Sequence, residues 1–209
     1  MKTGFEKLDN IIHSLNCGEL TCIAGRPGLG KTTLLIDIVN NISKNSNDKI
    51  LFVSLENSKE QLEERIKSNN VELITNKLFI NDIEDTCRSL SYKYHYLSLI
   101  VVDYLQLIKP EIRRKNLLRE KIDIVKALKQ LSIELNVPII ITFQLPRTNE
   151  KPKLEDLNIY GTTYHYSKVL LLYNDGSNLK IDVVKNKGVS HRFVDLVFNN
   201  EKLSFEERK

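Results

Sequence analysis

Cysteine is scarce: Cys17, Cys22 and Cys87 are the three in 209 residues. No two of them make a CxxC pair and one is left over. Neither a disulfide framework nor a zinc site is indicated, and buried thiols in a reducing compartment fit better. Long apolar runs are also lacking; none approaches the roughly 20 residues that span a bilayer. Met1-Lys2-Thr3-Gly4-Phe5-Glu6 has no apolar signal-peptide core. These absences point to a cytoplasmic protein with no membrane partner. There is no internal repeat and no low-complexity segment, and the four histidines, His165 and His191 among them, have no ligand spacing. Excess charge is small as well: a net +4 permits a nucleic-acid partner without demanding one. Hydrophobic residues at 41% and charged residues at 28% are ordinary for a soluble globular chain. The length suits one substantial core, so a single domain over residues 1–209 is the expectation.

What is present is a glycine loop in a strand–helix context. Leu20-Thr21-Cys22-Ile23-Ala24 reads as a buried strand. Gly25-Arg26-Pro27-Gly28-Leu29-Gly30-Lys31-Thr32-Thr33 follows, with every fixed position of G-x-x-x-x-G-K-[ST] matched. Glycines let such a loop curl so that successive N–H groups face an anion, and the helix opening at Lys31 adds its positive dipole end. Lys31 would reach the β- and γ-phosphates of a nucleoside triphosphate, and the Thr32 hydroxyl would sit on Mg²⁺.

The remaining chain alternates strands and helices. Residues 5–12 read as a short helix with Phe5, Leu8 and Ile12 on one face. Ile50-Leu51-Phe52-Val53-Ser54-Leu55 is apolar on both faces, as inner parallel strands are. Ser58 and Gln61 have capping-box spacing, predicting a helix over 59–67. A short strand is expected over 77–80 and a helix over 83–94. Leu97-Ser98-Leu99-Ile100-Val101-Val102-Asp103 is a strand. Leu118, Ile122, Val125, Leu128, Leu131 and Leu135 repeat as the stripe of a long helix. Val137-Pro138 ends it, and Ile139-Ile140-Ile141-Thr142-Phe143 is another buried strand. Residues 145–158 read as a long polar loop. Strands follow over 169–173, 179–184 and 192–198, with Asn174-Asp175-Gly176-Ser177 as the turn of a hairpin. The predicted fold is therefore α/β, with a mostly parallel central sheet, flanking helices and antiparallel strands at one edge.

Ligands of such sheets bind beyond the carboxyl ends of the strands. The residues there are the P-loop from Gly25 onward, Glu56, Asp103 and Gln144. Asp103 closes an apolar strand and would hold Mg²⁺ beside Thr32. Glu56 lies in a strand-to-helix loop, where a carboxylate could take the proton of an attacking water or simply favour the helix dipole. Gln144 is either a γ-phosphate sensor or a plain loop glutamine.

Along nearly its whole length the chain resembles the C-terminal, RecA-like ATPase domain of DnaB-type hexameric replicative helicases. The resemblance is carried by Thr3-Gly4-Phe5…Leu8-Asp9, Gly18-Glu19-Leu20, Ala24-Gly25-Arg26-Pro27…Gly30-Lys31-Thr32-Thr33 and Phe52-Val53-Ser54-Leu55-Glu56. It continues in Ile100-Val101-Val102-Asp103-Tyr104-Leu105-Gln106-Leu107, Leu128-Lys129…Leu135-Asn136-Val137-Pro138, Gln144-Leu145 and Leu154-Glu155-Asp156-Leu157. It implies a RecA-like P-loop fold, ATP and Mg²⁺ as cofactors, Glu56 as catalytic base, Asp103 as the Mg²⁺ aspartate, and Gln144 as the link from γ-phosphate to DNA loops. The implied partners are single-stranded DNA, further copies in a hexamer, and other replication proteins.

The chain also departs from the family. A neighbouring subunit there supplies a Lys-x-Arg pair to the γ-phosphate; here Lys185-Asn186-Lys187 stands in its place. Lysine keeps the charge but lacks the planar fork of arginine, so slow turnover is expected. These two lysines are alternatively solvated residues after a strand. The family's DNA-contacting Arg-Glu-Ser-Gly loop is replaced by Asn158-Ile159-Tyr160-Gly161-Thr162-Thr163-Tyr164-His165-Tyr166, in which Gly161 alone is kept. Its tyrosines either stack on bases or pack on the edge hairpin. Arg113, Arg114, Lys115, Arg119 and Lys121 form a basic run that either contacts backbone phosphates or is a solvated helix entry. The chain begins at the ATPase domain, so self-association in a hexamer is what the resemblance implies and not what these residues show. Two functions compete: an ATPase acting on single-stranded DNA, and an ATP-binding module that docks on a helicase or replication partner with little hydrolysis of its own.

Overall fold

The protein is described by a computed structural model over residues 1–94, 97–111, 113, 116–148, 150–158, 161–176, 178–188 and 191–208. The first half contains α1 (Glu6–Ile12), β1 (Leu20–Gly25), α2 (Lys31–Ser43), β2 (Lys49–Ser54), α3 (Lys59–Glu63), β3 (Val71–Ile74), α4 (Ile80–Tyr94) and β4 (Leu97–Asp103). The second contains α5 (Leu117–Glu134), β5 (Ile139–Gln144), α6 (Glu155–Asn158), β6 (Lys168–Asn174), β7 (Leu179–Lys185), β8 (Arg192–Asn199) and β9 (Ser204–Glu207). All strands join one sheet in the order β3-β2-β4-β5-β1-β6-β7-β8-β9. Pairing is parallel from β3 through β6 and antiparallel from β6 to β9.

Inner parallel strands are buried on both faces, which is why β1, β2, β4 and β5 read as continuous apolar runs. One face of the sheet buries Leu8 and Ile12 of α1, Leu34, Leu35, Ile38 and Val39 of α2, and Leu62 of α3. The other buries Ile83 and Cys87 of α4 and Ile124, Val125, Leu128 and Leu131 of α5. Each such side chain contributes roughly 1.5–3 kcal/mol on burial. Cys22 and Cys87 are buried free thiols and Cys17 is exposed. Among the described residues no helix is long and apolar enough to cross a membrane.

Several expectations are corrected. The residues expected as a strand over 77–80 contribute only a single bridge, Phe79 to Lys109, and Ile80 already begins α4. Leu78 and Phe79 are apolar yet 37% and 46% exposed, so their pattern does not mark a buried strand. The edge strand is instead β3, half-exposed throughout, and β9 adds a further strand at the opposite edge. Helix α3 has the expected capping box but stops at Glu63. Leu118 does not belong to the buried stripe of α5; it is 43% exposed, and Glu120 is the residue of that first turn that is buried. The expected loop over 145–158 contains α6. Of the hairpin turn, Ser177 lies outside the described residues; Asp175 N–H donates to the Asn178 carbonyl at 3.1 Å where β6 turns into β7.

Candidate nucleotide site

The sheet register sets the site. Gly25 at the end of β1 pairs with Gln144 at the end of β5, and Ser54 at the end of β2 pairs with Asp103 at the end of β4. Val102 pairs with Ile141, so strand ends from four places in the sequence fall within about two residues, roughly 7 Å, of one another. The loop after β1 turns through Gly28 and Gly30, whose φ values of 81° and 80° lie in the left-handed region that favours glycine. Gly30 is the N-cap of α2 and no side chain caps that helix. First-turn N–H groups have no intrahelical acceptor, so this end is available to an anion.

A cavity of about 220 Å³ opens over these strand ends, lined by Pro27, Gly28, Gly30, Lys31, Thr32, Glu56, Asn57, Asp103, Tyr104 and Gln144. The P-loop is thus brought together with Glu56, Asp103 and Gln144. Thr32 Oγ1 donates to Asp103 Oδ2 at 2.6 Å. The other Asp103 oxygen accepts from the Thr142 hydroxyl, which fixes the carboxylate although it is almost wholly buried. Lys31 Nζ donates to the Arg26 carbonyl at 2.9 Å, the ammonium resting on its own loop. Burial pulls the Lys31 pKa down, while Asp103 and Glu56 oppose that shift by favouring the charged form. Burial raises the Tyr104 pKa, with Glu56 and Asp103 adding to the shift. Both carboxylates therefore act on the cleft. The peptide between Asp103 and Tyr104 is cis.

Further residues join the site that sequence reasoning did not single out. Gln106 Nε2 donates to the Gln144 carbonyl at 2.7 Å, and Gln144 N–H donates to Gln106 Oε1 at 3.2 Å. Arg65 Nη2 donates to Thr33 Oγ1 at 2.9 Å, just beyond the P-loop. Arg26 donates to the Thr148 hydroxyl and the Glu150 carbonyl, tying the loop after β5 to the P-loop. Phe205 of β9 lies against Gly30: a Cβ there would come within 2.7 Å of its ring. A second cavity, of about 300 Å³, lies along α2 and β9 and is lined in part by Asp37, Arg65 and Phe205. Thr142 alone left a visible signal, as the one polar residue inside Ile139-Ile140-Ile141-Thr142-Phe143.

Other candidate residues lie elsewhere. Lys185 is level with Val169, at the start of β6. At about 3.3 Å per residue its backbone is set back roughly 10 Å from Gly25 along the sheet and lies two strands away. Its Nζ donates to the Thr163 carbonyl at 2.8 Å. Lys187 is exposed and its charge acts on Glu19 and Lys129, beside the start of β1. Neither lysine lines the cavity over the P-loop. Arg113 and Arg119 are exposed; Arg114, Lys115, Ile159 and Tyr160 lie outside the described residues. Lys121 is neither solvated nor free for DNA, since its Nζ donates to the carbonyls of Gln106 and Ile108 at 2.8 and 3.2 Å. Gly161 packs on α5, where a Cβ would lie 3.0 Å from Ile122 Cδ1. The tyrosines divide: Tyr164 is 84% exposed, whereas Tyr166 is buried in the core and unavailable for stacking on a base.

Comparison with known proteins places the chain in a family. The family described as "DnaB-like helicase C terminal domain" matches residues 1–79 and 74–207. The chain belongs to that family. A probable replicative DNA helicase of Trieres chinensis is 32% identical over 84% of this chain and 47% of its own length. The replicative DNA helicase DnaB of Geobacillus stearothermophilus is 30% identical over 83% of this chain and 47% of its own length. The chain thus spans about half the length of these DnaB-family relatives. A solved DnaB-like replicative helicase, described with its interactions with primase, superposes with a TM-score of 0.88 at 22% identity, over 99% of this chain and 61% of that one. The fold is accordingly the RecA-like fold of DnaB-family ATPase domains.

Proposed function

We propose that this chain is the motor domain of a replicative DNA helicase, binding ATP with Mg²⁺ and hydrolysing it to act on single-stranded DNA in the cytoplasm. The observation that carries this reading is the Thr32–Asp103 pair at 2.6 Å inside a cavity that also holds Lys31, Glu56 and Gln144. A hydroxyl and a carboxylate so placed fit Mg²⁺, which takes hard oxygen ligands and uses only one or two from protein. Bound Mg²⁺ would neutralise the β- and γ-phosphate oxygens.

In this reading the chain's own groups divide the work. Lys31 and the first-turn N–H groups of α2 receive the phosphates. The hydrogen bond from Thr142 keeps Asp103 oriented beside Thr32. Glu56 reaches the cleft from the loop after β2 and accepts a proton from the attacking water. Gln144 presents its amide to the γ-phosphate. Lys185 and Lys187 face away from this site, and a second copy supplies them to it, within a ring of the kind the family resemblance implies. Replication proteins such as a primase are the expected partners, as in the DnaB-like neighbour.

A second reading, nucleotide binding with little turnover by a module that docks on a helicase or replication partner, is favoured by one observation. Lys185 is occupied with the Thr163 carbonyl, and its companion is a lysine rather than an arginine. ATP hydrolysis measured with and without single-stranded DNA, at several protein and salt concentrations, separates the two. The motor reading expects DNA stimulation that weakens as salt rises and a rate per chain that climbs with concentration. Tight nucleotide binding with a flat, negligible rate under all conditions would leave the second reading standing.

A further inference from the structure

Gln144 is held at its main chain, and the groups that hold it form a short chain of hydrogen bonds leading to α5. Gln106 lies in the turn over Leu105–Leu107 that follows β4. Its carboxamide meets the Gln144 peptide with both of its polar ends, donating at 2.7 Å and accepting at 3.2 Å. Two antiparallel bonds of this kind fix both the position and the rotation of the strand end from which the Gln144 side chain enters the nucleotide cavity. The turn that carries Gln106 is held in its place by Lys121, whose ammonium donates to the Gln106 carbonyl at 2.8 Å and to the Ile108 carbonyl at 3.2 Å. Lys121 is half-buried and burial lowers its pKa, Glu120 alone opposing that shift. A half-buried cation spent on two carbonyls is not a surface charge. It joins the first turns of α5, one face of which carries exposed Arg119, to the turn beyond Asp103. Asn116 caps the same end of α5, its Oδ1 accepting from Leu118 and Arg119 N–H at 3.0 and 3.3 Å.

We infer that Gln106 and Lys121 are positioning residues for Gln144, setting how its amide meets the γ-phosphate. The inference rests on the reading of Gln144 given above, and it adds two residues that touch neither nucleotide nor metal. A misplacement of about 1 Å at a reacting centre can lower a rate about a hundredfold, so partial loss of this support is expected to lower kcat by about tenfold while the affinity for ATP stays within about twofold.

The test is steady-state ATP hydrolysis and equilibrium nucleotide binding on the full chain for Gln144→Ala, Gln106→Ala, Gln106→Glu, Lys121→Met and Lys121→Arg, together with the Gln106→Ala/Gln144→Ala double variant. Gln106→Glu keeps size and one acceptor but removes the donor to the Gln144 carbonyl, so it reports even where Gln106→Ala fails to fold. The expected result is a kcat loss in Gln106→Glu and Lys121→Met with unchanged ATP affinity. Lys121→Arg, which keeps a cationic donor, recovers most of the rate. The double variant is no slower than Gln144→Ala alone, because Gln106 acts through Gln144. Full activity in Gln106→Glu and Lys121→Met beside an inactive Gln144→Ala would overturn this inference and leave the role of Gln144 intact, as would losses that multiply in the double variant. A fully active Gln144→Ala would remove the underlying reading and this inference with it.

Discussion

The two halves of the sheet place their candidate site residues in different ways. In the parallel half, Lys31, Thr32, Asp103 and Gln144 are bonded to one another or to neighbouring backbone, and they line a common cavity. In the antiparallel half, Lys187 projects into solvent at the far end of the sheet, and Lys185 rests on a loop carbonyl. The first group shares one cavity; the second stands apart from it. The difference follows from strand direction. Parallel strands bring their carboxyl ends to one edge, where four loops can converge, whereas β7 runs the other way and delivers its carboxyl end to the opposite edge.

The largest effect should come from the closed half. Glu56→Gln is expected to lower ATP hydrolysis by about a hundredfold or more while leaving nucleotide binding in place, since a positioned base contributes about 10²–10⁴ in rate. Single-turnover hydrolysis beside an equilibrium titration checks this, and a rate within a few-fold of wild type would remove Glu56 from the chemistry. The open half should give a smaller effect that is detectable only between chains. Lys187→Ala chains keep Glu56, and Glu56→Gln chains keep Lys187. Mixing them equally should therefore rebuild about a quarter of the sites in a randomly assembled ring. No recovery on mixing, at concentrations where wild type is active, would break the division of the site between copies. Lys187→Arg restores the forked donor and should raise turnover by about tenfold.

What could be read from the sequence divides along similar lines. The P-loop, β1 and β4 announce themselves because neighbouring residues carry the whole signal. The bonds that complete the site do not, for they join Thr32 to Asp103 across 71 positions, Thr142 to Asp103 across 39, and Arg65 to Thr33 across 32. No local pattern encodes such pairs. Gln106 stood inside a segment quoted for its family likeness, yet its work depends on the register that sets Gln144 beside it. The edge strands β3 and β9 were missed for another reason: they are short and half-exposed, so neither alternation nor a continuous apolar run marks them. Lys121 looked like part of a solvated basic run because sequence records its charge and not the two carbonyls above it.

The smallest predicted effect concerns the place where the two halves meet. Asp37 on α2 accepts the Phe205 N–H of β9 at 2.7 Å, and the Phe205 ring lies on Gly30 of the P-loop. At the other end of β9, Glu207 accepts the N–H groups of Lys7 and Leu8 at 2.9 Å each, tying the strand to α1. Burial pushes the Asp37 carboxyl up to about 6, against the Phe205 hydrogen bond and the charges of Arg65, Lys44 and Lys67, which favour ionisation. A carboxyl whose pKa is higher folded than unfolded binds protons preferentially in the folded state. Its favourable contribution is complete below the unfolded value near 4 and is lost as pH rises through about 6. Asp37→Asn keeps an oxygen for the Phe205 N–H and removes the charge. It should therefore raise Tm by about 5–10 °C at pH 7.5, and the gain should shrink to nothing by about pH 4. Thermal melts of both proteins across that range are the check. A gain that is constant with pH would show that the buried charge is not what Asp37 contributes.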